Sequence, residues 1–190
     1  MNESIIVEKI GKAAIIKFNR PELKNPLSVE TLEKLERVFI AGNSDKTVEK
    51  IIFTGSGDTF ASGANLNEVA GLTTETAREF GLRGQRLMQK IYRSEKMTVA
   101  AIDGFCMGGA LDLALSCRRR IASPRSVFAH PGAGLGIITG WSGTQLLPRL
   151  VGRKKAFEIF LTAKKVSADE ALEIGLIDKI SANPLRFARA

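Results

Sequence analysis

Apolar and polar positions along this chain fall into short runs that switch between strand and helix periods, divided by glycine- and proline-bearing turns. Ile5–Ile10 and Ala13–Phe18 are apolar stretches split by Gly11-Lys12, the pattern of a β-hairpin. Residues 19–26 hold two prolines and two asparagines and read as a loop. Ser28 stands where a helix cap belongs, ahead of Val29, Leu32, Leu35 and Phe39 at helical spacing. Residues 49–54 (EKIIFT) read as a strand closing on Gly55-Ser56-Gly57-Asp58, and Thr74–Tyr92 as a second long helix. The wholly apolar run at 98–102 (TVAAI) predicts a buried strand. A helix is expected from Gly109 through Leu115, with short strands at Ile121 and Val127–Ala129. Further helices are expected near residues 143–150, 154–161 and 168–174, the last with Ser167 before it and Gly175 just past its end. Strands alternating with helices predict an α/β fold with much parallel pairing. No internal sequence repeat, low-complexity segment or linker interrupts the pattern.

Composition narrows the setting. At 190 residues the chain has the size of one large domain, and 44% hydrophobic against 25% charged residues is enough for an ordinary core. No run approaches the roughly 18 apolar residues of a membrane span. The opening Met1-Asn2-Glu3-Ser4 lacks the basic and apolar parts of a secretory signal, so a cytoplasmic protein is expected. The two cysteines, Cys106 and Cys117, fit reduced, buried thiols. A single histidine, His130, leaves little material for a histidine-based metal site or a serine–histidine triad, and no metal is expected. The formal charge of +8 points to an anionic partner. Its densest runs are Arg118-Arg119-Arg120, Arg153-Lys154-Lys155 and Lys164-Lys165. Aromatic residues are not interleaved with them, which argues against single-stranded nucleic acid.

Two segments share one design, an apolar strand, a glycine turn and a helix start: residues 59–68 (TFASGANLNE) and 104–113 (GFCMGGALDL). Glycine lets backbone N–H groups point outward and a ligand approach closely, and a helix start adds unpaired donors. Two such N–H groups converging on one point would hold a developing oxyanion.

The order and spacing of the whole motif set resemble the crotonase, or enoyl-CoA hydratase/isomerase, family. Asn19-Arg20-Pro21-Glu22 with Asn25-Pro26-Leu27-Ser28 is similar to that family's NRPE…NALS loop. Phe60-Ala61-Ser62-Gly63-Ala64-Asn65-Leu66 resembles its FxAGAD[IL] motif, and Gly104 to Gly109 with Asp112-Leu113-Ala114 its GGG-x-[ED]-LA motif. His130-Pro131, Leu135-Gly136, Gly140, Gly143-Thr144-Gln145 and Leu150-Val151-Gly152 follow its PE…LG…PGxGGTQ…L[VI]G run, and residues 163–180 its closing segment. The resemblance covers about residues 5–180, taken as the core of one domain at 1–190. It implies a ββα spiral, and trimers or hexamers. The chain stops soon after Ile180, where family members usually continue with helices that complete the trimer.

The resemblance also implies chemistry. An acyl-CoA substrate would be held with its thioester carbonyl between the N–H groups of Ala64 and Gly109, with Asp112 as proton carrier. Coenzyme A enters as part of the substrate, with no separate cofactor. Leu23, Lys24 and Asn25, with Ser62, Gly63, Asn65, Leu66 and Asn67, would line the coenzyme A path, and Gly108, Gly132 and Trp141 the acyl site. Hydratases of the family use two glutamates. Asp112 stands in place of the first, and Gly132 replaces the second and can carry no proton, so water addition is expected to be slow. Trp141 occupies a small-residue position and would narrow the acyl pocket or belong to the core. His130 is expected to be structural. The alternatives left open are a decarboxylase or thioesterase on the same scaffold, and a catalytically silent acyl-CoA- or RNA-binding homologue.

Overall fold

The computed structural model describes residues 3–190. The hairpin of β1 (Ile5–Ile10) and β2 (Ala13–Phe18) leads through β3 (Pro26–Leu27) to α1 (Val29–Ser44). Next come β4 (Lys50–Gly55), β5 (Thr59–Ala61), β6 (Gly63–Ala64), α2 (Leu66–Ala70) and α3 (Thr74–Tyr92). They are followed by β7 (Met97–Ile102), β8 (Phe105–Met107) and α4 (Gly109–Ser116), then β9 (Arg119–Ala122), β10 (Val127–Ala129), α5 (Gly143–Val151) and α6 (Arg153–Thr162). β11 (Val166–Ser167), α7 (Ala168–Glu173), β12 (Lys179–Ile180) and α8 (Pro184–Arg189) close the chain.

Six strands form one sheet in the order β1-β2-β4-β7-β9-β12, parallel except for the β1–β2 hairpin. A second sheet runs β11-β10-β8-β5, and β3 pairs with β6. Three times in succession the chain lays a strand in the large sheet and the next in the small one before returning to helix: β4–β5, where β6 precedes α2, then β7–β8 and β9–β10. The fold is therefore α/β with a repeated ββα turn, although the sequence itself does not repeat.

Alternation along the large sheet explains its two faces. Ile16, Phe18, Ile51, Phe53, Ala100 and Ile102 point to the main core, with α1, α3 and α4 contributing Leu35, Phe39, Leu87, Ile91 and Leu113. Ile15, Ile52, Val99, Ala101 and Ile121 form a smaller core on the other face, against Leu185 and Ala188 of α8. That helix was not anticipated: six residues around Pro184 are too short to show a period. Pro21–Leu23 and Pro131–Leu135 are single 3-10 turns where only loop was expected. Ser28 and Ser167 cap α1 and α7 by accepting the Thr31 and Glu170 N–H groups, as anticipated. Among the described residues no helix is long and apolar enough to cross a membrane.

Candidate active site

The two glycine turns meet. Gly63 sits at φ 94 at the start of β6, and Gly108 at φ 53 just before α4. A Cβ built on Gly63 would lie 2.6 Å from the Met107 carbonyl oxygen and 3.0 Å from the Gly109 nitrogen, so only glycine lets the turns close. The Gly108 N–H donates to the Ala129 carbonyl at 2.9 Å. The first intrahelical bond of α4 runs from Asp112 N–H to the Gly108 carbonyl at 3.1 Å, so the Gly109 N–H precedes it, and Gly108 offers no side-chain cap. Ser62, Ala64, Gly108 and Gly109 share the wall of a cavity of about 270 Å³. The rest of that wall is mainly apolar: Leu66, Val69, Leu72, Phe80, Leu135, Ile137, Ile138 and Phe160.

His130, Thr139 and Trp141 form a polar corner of the same cavity. Behind them lies Asp112, wholly buried in the first turn of α4. Its Oδ2 accepts the Thr139 hydroxyl, the Trp141 N–H at 3.3 Å and the Ser142 N–H at 3.1 Å. The carboxyl group thus anchors the 139–142 loop at the entrance to α5, where the helix dipole favours negative charge. Its Oδ1 has no hydrogen-bond partner among the described residues. The nearest cationic candidate is His130, whose Nε2 lies 3.6 Å from Oδ1. Among the described residues neither ring nitrogen of His130 has a hydrogen-bond partner, and the ring is 2% exposed, packed on Phe160 at 5.1 Å between centroids. Burial holds the imidazole below its ordinary 6.5, with the Asp112 carboxylate pulling the other way. Gly143 completes the cluster, since a Cβ there would run into Asp112 Oδ1.

Trp141 is both core and wall. Its ring packs on Phe80 at 5.7 Å and lies over Gly84 and Gly109, at either of which a Cβ would enter the ring. Of the other residues singled out from sequence, Ser62, Leu66, Gly108 and Gly132 reach the cavity together with Ala64, Gly109 and Trp141. Gly63 lies behind the wall, and Leu23, Lys24, Asn65 and Asn67 stand outside the cavity. Asn25 is buried, and its amide donates to the Ser56 and Thr59 carbonyls and accepts the Arg20 N–H, which uses the side chain within the loop. Asp112 is likewise placed behind the wall rather than on it. Thr139 and Phe160 were missed, because a loop threonine and a helical phenylalanine carry no signal of their own. His130 was expected to be structural, yet it stands on the wall unpaired.

The basic runs are largely occupied. Arg120 is buried and bonded to the Leu176 and Cys117 carbonyls and to Asp178, which Arg119 also meets. Lys155 and Lys164 pair with Glu158 and Glu170. Both thiols are buried and free, and burial pushes Cys117 up to about 12 and Cys106 well above its ordinary value, so neither is a ready nucleophile.

A family model described as enoyl-CoA hydratase/isomerase matches residues 8–185. The chain is 44% identical over 179 residues to a crotonyl-CoA hydratase of Syntrophomonas wolfei, covering 94% of this chain and 69% of that protein. It is 40% identical over 178 residues to a short-chain-enoyl-CoA hydratase of Clostridium acetobutylicum, covering 93% and 68%. Among solved structures it is similar to an enoyl-CoA hydratase from Thermoplasma volcanium, with a TM-score of 0.93, 33% identity and 98% and 75% coverage. Pseudomonas aeruginosa DspI superposes with a TM-score of 0.92, 32% identity and 99% and 80% coverage.

Proposed function

Because the chain belongs to the enoyl-CoA hydratase/isomerase family, we propose that its cavity takes the acyl group of a coenzyme A thioester and stabilises the enolate formed from it. The Ala64 and Gly109 N–H groups receive the thioester oxygen. One observation carries this reading: the Gly63 and Gly108 turns bring Ala64 and Gly109 onto one cavity wall, with the Gly109 N–H ahead of the first bond of α4. Negative charge growing on the thioester oxygen is then met by fixed donors in apolar surroundings, where each counts for more than in water.

Asp112 is the proton carrier of this reading. It is the carboxyl group behind the polar corner, and among the described residues its Oδ1 has no hydrogen-bond partner. The apolar lining and a volume of about 270 Å³ suit a short acyl chain, with Trp141 limiting its length. The pantetheine arm leaves past Ser62 and Leu66, beside the 23–25 loop, which the Ser62 N–H ties in by donating to the Lys24 carbonyl at 3.0 Å. Assembly into the trimers or hexamers that family membership suggests would cover Phe157 and Leu161, which stand exposed on α6.

Calorimetry tests the reading. Acetyl-CoA should bind more tightly than free coenzyme A, because its carbonyl oxygen gains two donors. Equal affinities would contradict a working oxyanion site.

A further inference from the structure

A histidine with two unpartnered ring nitrogens inside a protein is costly, because each buried polar group has given up water without a replacement bond. His130 carries that cost on the cavity wall, and Asp112 Oδ1 carries a similar one 3.6 Å from Nε2. Folding stability does not explain such a pair. A substrate or water that enters and uses the free valences does. Position 132 supplies nothing here: Gly132 has no side chain, and a Cβ on it would lie 2.5 Å from the Ile137 carbonyl oxygen.

We infer that His130 is the acid–base group that meets the substrate, filling the role left open at Gly132, and that Asp112 acts through it. The inference rests on the thioester reading of the cavity. Both nitrogens are buried although the residue lines the cavity, so a turn about χ2, which is broad for histidine, precedes contact with water. In water addition to an enoyl thioester, neutral His130 takes a proton from water as the oxygen bonds to the β-carbon. The double-bond electrons move toward the carbonyl, giving an enolate whose oxygen faces Ala64 and Gly109. The imidazolium then returns a proton to the α-carbon. Atoms balance as one water added, and His130 ends neutral. Asp112 offsets the charge of the imidazolium while it lasts and exchanges protons with it. Burial leaves the imidazole neutral at physiological pH, as a base requires.

The test uses crotonyl-CoA as probe and the fact that the chain has one histidine. The unaltered protein should hydrate crotonyl-CoA, and His130→Gln should lower kcat by at least ~10²-fold and remove the acid limb of the pH profile while acetyl-CoA affinity holds. In tag-free protein, imidazole ¹⁵N signals report His130 alone and should shift on adding acetyl-CoA but not coenzyme A, with no variant needed. An unchanged rate and pH profile in His130→Gln, or imidazole signals indifferent to acetyl-CoA, would overturn the inference. So would failure of the unaltered protein to hydrate crotonyl-CoA, even with acetyl-CoA preferred over coenzyme A. If acetyl-CoA and coenzyme A bind alike, the thioester reading itself falls, and the inference with it.

Discussion

His130 Nε2 and Asp112 Oδ1 face each other at 3.6 Å, and among the described residues neither atom has a hydrogen-bond partner. Asp112 on α4 is the charged group facing the imidazole; α6 presents Phe160 and α5 presents Gly143. Burial outweighs the carboxylate and holds the imidazole below 6.5. Turnover that needs neutral His130 should therefore rise with pH along a limb lying below 6.5 and be level above it. Stability follows the same sign. The unfolded chain binds the proton more readily, so stability should fall as pH drops through 6.5. Urea midpoints at several pH values, with His130→Gln as the flat control, measure it.

Asp112 has two tasks that substitutions separate. Asp112→Asn keeps an oxygen for Thr139, Trp141 and Ser142, so stability and thioester affinity should change little while turnover falls about 10²–10⁴-fold. Asp112→Ala strands all three donors at about 1–3 kcal/mol each and should lower the urea midpoint sharply. Full activity in Asp112→Asn would make Asp112 only the anchor of the 139–142 loop.

Restoring a carboxylate by Gly132→Glu should fail. The new Cβ would press on the Ile137 carbonyl, whose own N–H bonds the Gly132 carbonyl at 3.0 Å. Crotonyl-CoA hydration should not increase, and thermal unfolding should come earlier. A faster variant would mean that the 132–137 turn yields easily.

Trp141 is seated by two glycines. Gly84→Ala on α3 should cost about 1–3 kcal/mol by pushing the ring toward Gly109, and should slow turnover from outside the cavity. Trp141→Ala should cost about 3–5 kcal/mol and admit longer acyl chains. In the double variant the Gly84→Ala penalty should nearly vanish, which a double-mutant cycle in urea reads directly.

Strands, helices and their caps were legible because each rests on local pattern: the apolar run at 98–102 is a buried strand, and Ser28 and Ser167 cap as their spacing suggested. The glycine turns were legible through motif order. What stayed hidden depends on contacts across the chain. Asn25 lies beside the right motif, yet its amide is used by Ser56 and Thr59, more than thirty residues away. His130 beside Pro131 carries no local signal of a role, because only folding sets it against Asp112. Thr139 gains its place through a single hydroxyl bond to that carboxyl group.

The most direct measurement is a crystal structure with a short enoyl-CoA bound. The thioester oxygen should lie within about 2.7–3.2 Å of both the Ala64 and Gly109 nitrogens, with the acyl chain against Phe80 and Trp141 and His130 beside its α- and β-carbons. A thioester oxygen bonded to neither nitrogen, or an acyl chain lying outside the cavity, would contradict the thioester reading of the cavity.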